Sequence, residues 1–107
     1  MTMGCLTPEE KLRDSVVGEY EYKLLHNTYK SVFLENGVDE RYLNGKKGGE
    51  LKWSIVDGEI HIERIPAWIA VYRINPDKSI TRIATILRGS PQMDLSKENQ
   101  FTFKKIK

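Results

Sequence analysis

The sequence predicts a mainly β domain: an antiparallel up-and-down meander of about eight short strands, closed or half-closed into a barrel behind a short N-terminal helix. Three observations predict it. Asn36-Gly37, Asn44-Gly45 and Asp57-Gly58 are pairs of the residues that most readily take positive φ, which two-residue hairpin turns require. The stretches between these pairs alternate apolar and polar residues with a period of two. Helical punctuation occurs once, at Thr7-Pro8-Glu9-Glu10, where a capping hydroxyl precedes a proline and a glutamate stands three residues after the cap.

That cap predicts a helix over 8–15, with Leu12 and Val16 four apart on one face; Val16-Val17 and Gly18 stop it. One or two turns are not stable alone, so the apolar stripe must dock on another element. From Gly18 the period becomes two. In "EYEYK" Tyr20 and Tyr22 oppose Glu19, Glu21 and Lys23, and "YKSVFLE" follows after turn chemistry at Asn27. Asn36-Gly37 turns into "VDERYL", and Asn44-Gly45, loosened by Lys46 to Gly49, turns into "ELKWSIV". There Leu51, Trp53 and Ile55 share a face. Asp57-Gly58 reverses into "EIHIERI", with Ile60 and Ile62 opposed by Glu59, His61 and Glu63. Pro66 marks a strand end. "AWIAVYRI" and "SITRIATIL", joined across Asn75-Pro76-Asp77-Lys78, are apolar on both faces and predict strands covered on both sides by the N-terminal helix, by the sheet curling over itself, or by a second copy of the chain. "RGSPQMDLSKENQ" predicts a loop with one helical turn at Ser96 to Asn99, and "FTFKKI" a last strand with Phe101 and Phe103 facing one way.

A chain of 107 residues makes one domain over 1–107, read as a frayed terminus at 1–6, the helix, and a sheet over 18–107. Seventeen basic against fifteen acidic residues, a net charge of +2, is too balanced for an electrostatic nucleic-acid footprint. The basic end Lys104, Lys105, Lys107 reads as solubility. No apolar run approaches the length that spans a bilayer. A single cysteine, Cys5, excludes an internal disulfide. Gly4-Cys5 resembles the end of a bacterial lipoprotein signal, although Met1-Thr2-Met3 supplies neither its basic segment nor its apolar stretch. Lipidation there would place the domain in a bacterial envelope and on a membrane; otherwise Cys5 is an exposed thiol in a cytoplasmic protein.

Catalytic machinery is not legible. Ser31, Ser54 and Ser90 lack a local motif, and Gly48-Gly49 is a turn, not a phosphate cradle. No enzyme and no cofactor are expected. Glu59, His61 and Glu63 share one strand face and would need Glu50 or Asp57 to complete a metal site; an amphipathic strand's solvated face explains them equally, and no metal is expected. His26 sits in a turn without a visible partner. The chemistry-bearing set is aromatic: Tyr20, Tyr22, Phe33, Tyr42, Trp53, Trp68 and Tyr72, either filling the interior or lining a pocket. Trp68 to Tyr72 also suit a subunit interface.

The helix, Val17-Gly18-Glu19-Tyr20, the meander and the basic last strand together resemble the lipocalin-like small β-barrels, in which a Gly-x-Trp opens the first strand beside an Arg or Lys from the last. Tyr20 stands here in the place of the Trp, with Lys104 or Lys105 as partner. The resemblance implies a non-catalytic domain that binds a small apolar or amphipathic ligand. Its site would comprise Tyr20, Tyr22, Tyr42, Trp53, Trp68 and Tyr72, with Arg73 or Arg82 pairing an anionic head group. "YLNGKKGGELKW" also resembles one unit of the MORN-type and antitoxin-like hairpin repeats, but the corner spacing is irregular. The alternative function is a structural or protein-interaction module with a filled core, homodimeric through the two-faced strands.

Overall fold

A computed structural model describes residues 7–64 and 67–107. The expectations for Cys5, for fraying of residues 1–6 and for a break at Pro66 lie outside the described residues. The rest form a helix, α1 (Pro8–Val16), and nine strands: β1 (Gly18–Leu24), β2 (Asn27–Phe33), β3 (Val38–Leu43), β4 (Lys46–Val56), β5 (Glu59–Arg64), β6 (Trp68–Ile74), β7 (Ile80–Leu87), β8 (Gln92–Asp94) and β9 (Thr102–Lys105). Among the described residues no helix is long and apolar enough to cross a membrane.

Every sequential neighbour from β1 to β8 pairs antiparallel, and β9 closes the circuit by pairing with both β1 and β7. The result is a closed antiparallel barrel. β6 occupies one edge of β7 along its whole length, so β8 and β9 share the other, β8 at Ala84 to Ile86 and β9 at Ile80 and Thr81. They act as one stave interrupted by a loop that carries a 3-10 turn at Lys97–Asn99.

The corners form as the small-residue pairs predict. Asn44 and Gly45 have φ of 52° and 84°, and Asp57 and Gly58 have 51° and 80°, the double positive φ of the turn that matches strand twist. Asn36 supplies its side-chain oxygen to the Val38 N–H, and Gly37 takes the positive φ. The first corner differs from expectation. Its positive-φ residue is Leu25, at 56°, while Asn27 already belongs to β2 and uses its side-chain oxygen to accept from Asn44 Nδ2. β8 is likewise a strand that the aperiodic stretch concealed.

One end of the barrel is stoppered. Thr7 caps α1 in a reciprocal capping box with Glu10. The helix lays Val16 and Leu12 on a core of Tyr20, Phe33, Trp53, Ile55, Ile60 and Ile62. It packs chiefly on β4 and not over β6 and β7, so it is not their cover; Val71 and Ala84, cross-strand partners in that wall, are nonetheless fully buried. The buried Tyr20 hydroxyl donates to the Val16 carbonyl at 2.7 Å, tying first strand to helix. Lys105 pairs in register with Tyr20, holds its ammonium 5.8 Å from the ring centre and donates to the Ser15 carbonyl at 2.7 Å. Burial, with Lys78 nearby, holds the Lys105 ammonium below its ordinary pKa range. Of the two lysines the sequence offers as partner to Tyr20, Lys105 is the one at the ring.

Candidate ligand-binding site

The opposite end is open. Only Tyr20 and Glu21 of β1 pair with β9, so the seam between the first and last staves is unzipped from Tyr22 onward. Aromatic contacts replace the missing ladder there: Tyr22 lies 5.1 Å from Phe101 and 5.5 Å from Phe103, ring centre to ring centre. On the far wall the β3–β4 pairing is bulged at Arg41 and Tyr42, and the residues opposite, Gly48 and Gly49, have no side chains to fill the mouth. A cavity of about 600 Å³ opens between these features. Its apolar lining comes from Tyr22, Tyr29, Leu51, Tyr72, Phe101 and Phe103, and its charged lining includes Arg41, Arg64 and Arg82.

Strand parity explains the arginines. Arg41 stands two residues after Asp39, Arg64 two after Ile62, and Arg82 two after Ile80, and each preceding residue is fully or almost fully buried. Each arginine therefore continues a core-facing row into the mouth. Arg41 Nε donates to Asp39 Oδ2 at 2.6 Å, while its Nη2 and Asp39 Oδ1 are buried without partners. Arg82 is braced: Nε donates to the Ala84 carbonyl at 3.1 Å and Nη2 to Thr85 Oγ1 at 2.8 Å, and the guanidinium lies 5.2 Å from the Trp68 ring. The Arg64 guanidinium lies 5.3 Å from the same ring and makes no side-chain hydrogen bond to any described residue.

Burial is the leading influence on Asp39, whose carboxyl is pushed up to about 6 although Arg41 and then Arg64 pull it down. A carboxyl raised from about 3.9 binds its proton more tightly folded than unfolded. Its contribution to stability is therefore greatest below about pH 4, declines as pH rises towards about 6, and is level above. Asp39→Asn removes the titration and keeps an acceptor for Arg41. The difference in urea midpoint between wild type and Asp39→Asn is expected to move in favour of the variant across that window; a difference independent of pH would show that the carboxyl is not raised by burial.

The residues singled out from sequence separate into groups. Tyr22, Tyr42, Tyr72 and Arg82 line the cavity, Tyr42 at its rim beneath the Lys30 ammonium, 5.1 Å away. Tyr20 and Trp53 are buried at the stoppered end, outside the lining. Trp68 is not in the cavity lining: it packs on the core at the end of the Ala70 and Tyr72 row, has the Arg64 and Arg82 guanidiniums beside its ring, and together with Arg64 lines an outer-face groove of about 530 Å³. Arg73 is exposed, its Nε donating to Asn75 Oδ1 at 3.0 Å, because neighbours on a strand face opposite ways and Tyr72 takes the inner side. Arg41 and Arg64 are lining residues that the sequence reading does not single out; their two-residue spacing from buried positions is the signal that finds them. Among the described residues no three His, Cys, Asp or Glu side chains converge as a metal site would need.

No family model, no curated protein and no solved structure matches the chain. What can be said of family rests on the architecture: a closed eight-stave antiparallel meander with an N-terminal helix at one end, compatible with a lipocalin-like barrel.

Proposed function

We propose that this domain is a lipocalin-like, non-catalytic binding protein for a small amphipathic molecule, held in the open end of the barrel. One observation carries the reading: a cavity of about 600 Å³ in which aromatic and aliphatic side chains surround three inward guanidiniums. Small-molecule sites are concave and mostly apolar, with a few polar groups to fix orientation. A guanidinium cannot shed its charge, so three of them at a cavity wall suit an anionic head group. The Gly18-Glu19-Tyr20 opening with Lys105 on the ring and α1 across the closed end support the same reading.

Trp68 is the natural reporter. It is half-buried against Arg64 and Arg82, whereas Trp53 is sealed at the other end. Titration with decanoate is expected to change tryptophan emission, and Trp68→Phe to abolish that change. Emission unaltered by decanoate, decanol and decylamine alike would retire the cavity reading in favour of a structural module with a filled core.

A further inference from the structure

The charge inside the mouth is unbalanced. Three arginines line the cavity, Arg64 at the boundary with the outer groove, and among the described residues the only carboxylate that pairs with any of them is Asp39. The other charged residues of the lining, Lys30 and Glu50, sit at the rim and answer to their own partners, Glu19 at 3.4 Å and Lys47 at 2.6 Å. Two positive charges therefore remain without a counter-charge in a partly desolvated site. The Arg64 guanidinium responds as expected: burial, then the positive charge of Arg41 and, further down, that of Arg82 hold it below its ordinary range. Like charges are gathered here instead of being dispersed to solvent, an arrangement that a bound anion relieves.

The donors are unequal. Arg82 has two of its nitrogens committed to Ala84 and Thr85 and is stacked on Trp68, so it is a fixed wall. Arg41 keeps a buried Nη2 with no acceptor, and Arg64 has none among the described residues. A monocarboxylate offers one charge and two oxygens. A phosphate monoester offers nearly two charges at neutral pH and three terminal oxygens, which matches the surplus in charge and in donors. Tyr22, Tyr29, Leu51, Phe101 and Phe103 occupy the adjoining wall, where an apolar substituent on the phosphate would lie.

Building on the amphiphile-binding reading above, we propose that Arg41, Arg64 and Arg82 form a receptor for a phosphate monoester bearing an apolar group, and that it selects this dianion over a monoanionic head on the same chain. Calorimetric titration of the intact protein at about pH 8, well above the second phosphate pKa of roughly 6, tests it with five probes: octyl phosphate, octyl methyl phosphate, octanoate, octanol and inorganic phosphate. Octyl phosphate is expected to bind about tenfold more tightly than octanoate or the monoanionic diester, the size of one further charge-assisted contact. Arg64→Gln is expected to weaken octyl phosphate more than octanoate and so to remove most of that advantage; a far-ultraviolet spectrum like wild type verifies its fold. Equal affinities for octyl phosphate, its methyl diester and octanoate would overturn the dianion receptor and leave amphiphile binding standing. Inorganic phosphate binding as tightly as octyl phosphate would do the reverse, keeping the receptor and removing the apolar subsite. Silence from all five would defeat both.

Discussion

Replacing Trp53 with alanine is expected to cost about 3 to 5 kcal/mol of unfolding free energy, the largest single-residue loss foreseen for this domain. The indole is 3% exposed and stands where three parts of the stoppered end meet. Its ring lies 5.3 Å from Phe33, its Nε1 donates to the Leu34 carbonyl at 3.0 Å, and the Arg13 guanidinium of α1 is 4.3 Å from its centre. Alanine leaves a large void, orphans the Leu34 carbonyl and removes the surface on which the helix is anchored. Urea unfolding with an unchanged slope and a lowered midpoint is the expected form; a loss under about 1 kcal/mol would mean that Trp53 is not core.

Gly18→Ala is expected to cost about 2 to 4 kcal/mol, combining backbone strain with overpacking. Gly18 has φ of +148°, and a Cβ there would fall far inside contact distance of the Lys107 carbonyl oxygen and 2.9 Å from Lys105 Cε. That carbonyl accepts from the Glu19 N–H at 3.0 Å, so it cannot withdraw without loosening the seam between β1 and the end of the chain. Gly58 is the internal control. It also has positive φ, +80°, but a Cβ there meets nothing within 4 Å, so Gly58→Ala should cost only the conformational part. Equal losses for the two variants would show that the close approach at Gly18 is not what demands a glycine.

The fold was legible because its determinants are local. Turns at Asn44-Gly45 and Asp57-Gly58 depend on two residues each, and alternation in "ELKWSIV" or "EIHIER" depends on nearest neighbours. Closure by β9 between β1 and β7 and the helix's seat on β4 are long-range and could only be expected as a way of hiding edges and an apolar stripe. The site was half legible. Tyr22, Tyr72 and Arg82 follow from parity with buried neighbours, but parity also separates Arg73 from Tyr72, and the sequence reading grouped them as one site. Arg41 and Arg64 hide in plain alternation, since a charge next to a glutamate reads as solvent-facing until the row of Asp39 or Ile60-Ile62 is followed past the end of the core. The bulge at Arg41 and Tyr42, which changes what the mouth presents, has only the paired glycines at 48 and 49 as its trace.

Amide chemical-shift mapping by solution NMR during titration with octyl phosphate measures most directly whether the unzipped end of this barrel is a binding site. The account predicts that the largest shifts cluster at Tyr22, Arg41, Leu51, Arg64, Arg82 and Phe101, while Val16, Tyr20 and Trp53 at the stoppered end stay nearly still. Shifts centred on the outer groove at Ile69 and Ile86, or on the helix end, would contradict it.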